Sequence, residues 1–163
     1  MSTIGVEGTQ AAMSPSHVTV LLCDGAVQAT GKWSLVGVFT HVQAKSFPAR
    51  VGVFWMFVSI RDFRIDRVAT VRLEIVDNRA DSDGNMRASP LWSAEVKISP
   101  PEMVPSGGKL IPLNFAIPVV KPDGSGKATA IEFPASGDYD VNVLIDNVFV
   151  GFSSIRAVQL PGA

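Results

Sequence analysis

The sequence predicts an all-β fold, a single-domain antiparallel β-sandwich of the immunoglobulin-like or C2-like kind with about eight to ten strands. Short runs in which apolar and polar residues alternate recur roughly every ten to fifteen residues, without helical segments between them. No window of about a dozen residues holds a sustained apolar stripe at helical spacing. The 14 glycines and 11 prolines are spread between the runs, as turn residues are in such folds.

Each run has the periodicity of a strand, and strands are predicted at residues 18–23, 33–39, 51–60, 68–76, 110–120, 139–145 and 149–158. Pro112 and Pro118 fall on one side of the 110–120 run, which predicts a strand at the edge of a sheet. The last two runs flank Asp146-Asn147, which predicts a hairpin. The length of 163 residues suits one domain, so residues 17–160 are assigned to the sandwich and 1–16 to a flexible N-terminal tail.

Composition and charge argue against several function classes. The 14 basic and 15 acidic side chains give a net charge of -1, whereas a nucleic-acid binder needs a basic field, so we expect no nucleic-acid partner. The longest apolar run, 51–60, is much shorter than the about 20 residues of a membrane-spanning helix. The N-terminus lacks the pattern of a signal peptide, and the single cysteine suits a reducing compartment. These features predict a cytoplasmic protein without a membrane span.

The run at 51–60 departs from simple alternation because it is apolar on both faces. One face carries Val53, Trp55 and Phe57, and the other carries Phe54, Met56 and Val58. A sandwich strand buries one face, so something must cover the other. Either the N-terminal segment or a long loop covers it, or it is an interface for a protein partner or a second copy. Phe54, Met56 and Val58 are the candidate interface residues.

Residues that could carry catalysis do not form a recognised motif. His17 and His41 lack metal-ligand spacing, and no Gly-x-Ser-x-Gly occurs. Cys23, at a strand end, is predicted to be a buried structural thiol. We therefore expect no enzyme. A hydrolase with a dispersed site is a third hypothesis, and it needs a pocket that joins His17 or His41 to a carboxylate and to a hydroxyl or thiol.

The acidic loop at 77–85 provides the candidate metal site, and calcium is the candidate cofactor. Asp77, Asp81 and Asp83 offer the oxygen ligands that calcium prefers, although their spacing does not match a helix-loop-helix calcium motif. A site there needs further ligands from a second loop, and the candidates are Asp138, Asp140 and Asp146. The alternative function is therefore a calcium- or lipid-binding C2-like sandwich, and the competing interpretation of the loop is a solvated hairpin.

Two stretches carry a family resemblance. They are LLCDGAVQATGKWSLVGVF at 21–39, followed by Phe47-Pro48, and FPASGDYDVNVLIDNVFVG at 133–151. Together they resemble a bacterial family that is catalogued only as a domain of unknown function. The resemblance spans most of residues 17–158, implies a compact β-sandwich, and brings no assigned activity or site.

Tyr139 and Gly37 have structural explanations that do not depend on the family. Tyr139 is the only tyrosine and follows Gly137-Asp138 at the start of a strand. Its ring can pack in the core there while its hydroxyl bonds to a crossing loop. Gly37 lies within a bulky strand and predicts a bulge or a close backbone crossing.

The leading hypothesis is a non-catalytic module with a protein-binding or structural role. It depends on the lack of a catalytic motif in a chain that also holds a strand with two apolar faces. Such a module acts through its strand surfaces, with a protein partner, by self-association or within a larger assembly.

Overall fold

The computed structural model describes residues 17–62, 67–79, 90–99 and 112–161. The predicted N-terminal tail, residues 1–16, lies outside these described residues. The described part is all-β, and none of its residues forms a helix long and apolar enough to cross a membrane. Its strands are β1 His17–Ala29, β2 Lys32–Phe39, β3 His41–Ala44, β4 Ala49–Val51, β5 Phe54–Arg61, β6 Ala69–Asp77, β7 Trp92–Ile98, β8 Leu113–Val119, β9 Lys121–Pro122, β10 Ala128–Thr129, β11 Ile131–Phe133, β12 Gly137–Ile145 and β13 Val148–Gln159.

Nine of these strands form two sheets, and the short strands pair as β4 with β11 and β9 with β10. The first sheet has the order β2-β1-β5-β8, with β8 at the edge, as Pro118 predicts. The second sheet has the order β3-β13-β12-β6-β7. All pairs are antiparallel except β3 with β13, which departs from the prediction. Only Thr40 separates β2 from β3, so the chain passes from the first sheet to the second without a turn that would reverse its direction.

The two sheets enclose one hydrophobic core, which makes the fold a β-sandwich, as the sequence predicts. Alternate residues of β5, β6 and β12 point into this core. Full burial of a valine, leucine or phenylalanine side chain stabilises by about 1.5–3 kcal/mol, so these three rows supply much of the packing energy.

The predicted interface residues Phe54, Met56 and Val58 belong to this core. Their exposed fractions are 2%, 0% and 0%, so that prediction was wrong. The pairing register explains why, because Met56 lies opposite Leu22 and Val58 lies opposite Val20, both of them core residues of β1. A strand that is apolar on both faces does not reveal its inner face by alternation alone.

Two hairpin turns follow from their residue types. Asp146 and Asn147 link β12 to β13 with φ values of 48° and 67°, the left-handed values that a two-residue hairpin turn needs. The Asp146 carboxylate also accepts a hydrogen bond from the backbone N–H of Thr70 at 2.9 Å. In the β9–β10 turn, Asp123 accepts hydrogen bonds from the Ser125 hydroxyl and from backbone N–H groups, which lowers the pKa of Asp123.

Candidate functional site

Two phenylalanines of β13 form an exposed stack on the outer face of the second sheet. Phe149 is 56% exposed and Phe152 is 64% exposed. Their ring centroids lie 6.3 Å apart with the ring planes 28° from parallel. These two residues are called the aromatic patch below.

A β-bulge creates the aromatic patch. Residues three apart on a regular strand point to opposite faces of the sheet. The β12–β13 register shifts between Val143 and Leu144, because Val143 pairs with Gly151 and Leu144 pairs with Phe149. Val150 is therefore an extra residue on β13, and it brings Phe149 and Phe152 to the same face. Sequence periodicity missed these two residues because nothing in the alternation locates the bulge.

Polar and paired groups surround the aromatic patch on the outer face. Phe149 lies opposite Leu144, which lies opposite Arg72 on β6. Opposite charges occur in pairs here, with N···O distances of 3.0 Å for Arg72–Glu74 and 3.1 Å for Arg67–Asp146. In these two ion pairs beside the aromatic patch, positive and negative charges are equal in number.

The outer face of the first sheet is also apolar, but the chain covers part of it. Trp33 packs edge-on against Phe57, with ring centroids 5.8 Å apart. Trp33 pairs with Gln28, whereas Phe57 pairs with Leu21, about 23 Å away along an extended β1. The β1–β2 hairpin must therefore fold back over this face. The sequence suggested the N-terminal segment or a long loop as the cover; residues 1–16 lie outside the described residues, and the cover described here is the β1–β2 hairpin.

Gly37 lies where the β1–β2 hairpin bends. Its φ of +65° is in the left-handed region, which favours glycine. A Cβ atom on Gly37 would overlap the Asp24 carboxylate across the strand pair. Two separate constraints therefore require glycine at this position.

Cys23 is fully buried on β1. Its thiol donates a weak hydrogen bond to the carbonyl oxygen of Trp55 at 3.8 Å. Burial raises the pKa of the Cys23 thiol, which disfavours the thiolate, the nucleophilic form.

Arg79 connects a buried carboxylate to Tyr139 at the start of β12. Its guanidinium donates to both oxygens of Asp77, at 2.7 and 2.6 Å, and to the Tyr139 hydroxyl at 2.9 Å. The Tyr139 hydroxyl donates to the carbonyl oxygen of Ala135 at 2.6 Å, in the loop before β12. The Tyr139 ring is fully buried, with its centroid 4.9 Å from that of Phe133. Hydrogen bonding to Asp77 raises the pKa of Arg79.

This network occupies part of the predicted calcium site. Asp77 is 1% exposed and forms an ion pair with Arg79. Asp81 and Asp83 lie outside the described residues. A cation at Asp77 would have to displace Arg79, because the guanidinium already donates to both carboxylate oxygens.

The second-loop candidates do not converge. Asp138 forms an ion pair with Arg156 at 2.6 Å, which lowers the pKa of Asp138. Asp146 lies in the turn at the other end of β12, about 26 Å along the strand from Asp138. No three His, Cys, Asp or Glu side chains within the described residues group as a metal site. The calcium hypothesis stays a prediction.

A cleft of about 490 Å³ opens where the strands β1 to β5 meet, and we call it the end cleft. It joins His41 to the Asp24 carboxylate, as the hydrolase hypothesis requires, but none of its lining residues carries a hydroxyl or a thiol. His17 lies at the start of β1 and does not line it. The lining residues are Asp24, Phe39, His41, Val42, Gln43, Val51, Gly52, Val53 and Phe54.

Comparison with known proteins gives a family and a distant structural likeness. An immunoglobulin-like protein from Pseudomonas aeruginosa is similar in structure, with a TM-score of 0.33 and 12% sequence identity over 89% of this chain and 99% of the other. No curated protein matches the chain. The model of a family of unknown function, DUF6941, matches residues 18–158, from the second residue of β1 to the next-to-last residue of β13. The chain therefore belongs to this family of unknown function.

Proposed function

We propose that this protein is a non-catalytic protein-binding module that self-associates through the aromatic patch. One observation carries the proposal: a bulge places two stacked phenylalanines, each more than half exposed, on the outer face of a sheet. A regular strand would have turned one of them to the opposite face.

The size of the aromatic patch suits the centre of an interface. A phenylalanine side chain buries on the order of 200 Å² when covered, so these two side chains, 56% and 64% exposed, present about 240 Å² of apolar surface. A standard interface buries about 800 Å² from each partner. The patch would therefore be an aromatic centre, and the neighbouring polar groups of β6 and β12 would form the rim.

The charges around the patch favour a second copy as the partner. Each cation in the pairs Arg72–Glu74 and Arg67–Asp146 lies beside its own anion, so two copies of this rim repel each other little. The net charge of -1 adds little long-range repulsion. A twofold axis at the patch would place each phenylalanine stack against its copy.

The non-catalytic part of the proposal is supported by the end cleft. Its lining lacks a nucleophilic hydroxyl or thiol, and the buried Cys23 has a raised thiol pKa. A cytoplasmic location is also part of the proposal, and the single, buried cysteine supports it.

The test is the mass of the particle in solution, measured by light scattering after size exclusion up to about 1 mM protein, where even weak dimers form. We expect dimers in the wild type and monomers in the double variant Phe149→Ser and Phe152→Ser. The matched control is Val27→Ser and Val53→Ser, which removes two side chains that are 60% and 54% exposed elsewhere. A wild type that stays monomeric, or a control that dissociates equally, contradicts the proposal.

A further inference from the structure

We propose that the end cleft binds a ligand with a cationic amidinium, guanidinium or ammonium group on an apolar body. The cleft is separate from the aromatic patch, and its volume of about 490 Å³ falls within the usual range of small-ligand sites. The inference depends on one carboxylate, one hydrogen-bonded pair of polar side chains and one apolar wall.

Asp24 supplies the negative charge. It is the one carboxylate among the lining residues, and no Lys or Arg lines the cleft. Elsewhere on the surface, carboxylates such as Asp138 and Asp146 have an arginine partner, whereas no residue that the structure describes forms a hydrogen bond or ion pair with the Asp24 carboxylate. The Asp24 charge is therefore available to a ligand.

The chain makes specific room for this carboxylate. Asp24 occupies the space that a side chain at position 37 would fill, and Gly37 takes a left-handed φ of +65° there. A glycine within a strand commonly marks a close approach of another group. Here the approaching group is the carboxylate on the wall of the cleft.

His41 and Gln43 form the rest of the polar wall. The Gln43 side-chain amide lies 3.3 Å from His41 Nε2, so these two side chains form a hydrogen bond with each other. Arg156 pairs with His41 across β3 and β13, but the Arg156 guanidinium forms an ion pair with Asp138 at 2.6 Å. Asp24 therefore supplies the one carboxylate charge of the lining, with no Lys or Arg among the lining residues to offset it.

Phe39, Val51 and Val53 provide the apolar side of the cleft. The buried Phe54 ring supports Phe39 from below, edge to face, with ring centroids 5.6 Å apart. A ligand that fits has its cation at Asp24 and its apolar part against Phe39 and the two valines, whether it is a free amidine or amine or the side chain of an arginine on a peptide.

The test uses benzamidine and benzamide, which share a shape and differ in charge, each titrated into the full chain and followed by backbone amide shifts in NMR. We expect benzamidine to shift amides of residues 41–43 and 51–54 with a Kd of about 1 mM, and benzamide to bind about tenfold more weakly. Asp24→Asn should remove that tenfold difference, because it deletes the charge and keeps the shape.

Asp140→Asn is the matched control, because it removes one negative charge from β12 in the second sheet. It should bind benzamidine like the wild type. Equal affinity for benzamidine and benzamide, shifts that map away from the cleft, or an Asp24→Asn variant that binds like the wild type would overturn the proposal. Unchanged amide spectra outside the cleft check that each variant is folded.

A final comparison identifies the source of the cation. An acetylated tripeptide amide with a central arginine is titrated beside benzamidine. Tighter binding of the peptide assigns the site to an arginine side chain of a protein segment, and weaker binding assigns it to a free small molecule. Both results support the cation site, whereas no binding by either cation contradicts it.

Discussion

The outer faces of the two sheets both carry aromatic side chains but differ in what covers them. On the first sheet, Trp33 of the folded hairpin packs against Phe57. On the second sheet, Phe149 and Phe152 contact each other and are more than half exposed. The comparison shows that an apolar outer row is not by itself an interface. Whether the chain folds back over the row decides its exposure.

The largest expected effect is the difference in lost stability between a substitution on the core face of β5 and one in the aromatic patch. Phe54→Ala should lower the free energy of unfolding by about 3–5 kcal/mol, because it leaves a cavity in the core beside the Phe39 ring. Phe152→Ala should change it by about 0.5 kcal/mol or less, because that side chain is 64% exposed. Chemical denaturation of both variants measures the difference. Equal losses would show that the inner and outer faces have been assigned wrongly.

The next effect concerns the hairpin that covers the first sheet. Gly37→Ala should cost about 2–3 kcal/mol, because alanine is strained at a φ of +65° and its Cβ overlaps the Asp24 carboxylate. Tryptophan fluorescence should shift to the red as Trp33 leaves Phe57, and urea denaturation gives the energy.

Asp24→Ala in the Gly37→Ala background should recover part of that loss, because it removes the overlap but not the backbone strain. A full recovery would mean that the left-handed backbone at this position costs nothing. No recovery would mean that the overlap with Asp24 is relieved in some other way.

The smallest effect is expected at the exposed ion pair of the second sheet. Arg156 lowers the pKa of Asp138 below its ordinary value of 3.8, so the folded protein binds this proton less readily than the unfolded chain. The stabilisation is therefore complete above the ordinary pKa and is lost as the pH falls through the lower, folded value. In Asp138→Asn, the melting temperature should fall slightly less than in the wild type when the pH is lowered from about 5 to about 2. A variant that melts with the same pH slope as the wild type would contradict this.

Local chemistry accounts for what could be predicted. The strand at 68–76 was predictable because every second side chain is apolar, and β6 occupies Ala69–Asp77. The hairpin at Asp146-Asn147 was predictable because these residue types tolerate a positive φ. The inner face of β5 was not predictable, because both of its faces satisfy the same hydrophobic rule.

The candidate surfaces were less accessible to sequence reasoning than the strands. Phe149 and Phe152 stand three apart, which alternation places on opposite faces, and only the pairing of Leu144 and Val143 with β13 shows the bulge. Asp24 and His41 stand in different sheets, and the end cleft joins them through tertiary packing.

The sequence by itself determined the all-β class, most strand positions and the turn conformations, because these depend on residue periodicity and on local backbone preferences. Only the tertiary structure decided which face of β5 is buried, how the β1–β2 hairpin covers the first sheet, and where the aromatic patch and the end cleft lie. Those features depend on the register between strands and on contacts between distant residues, which a single sequence does not encode in any local pattern.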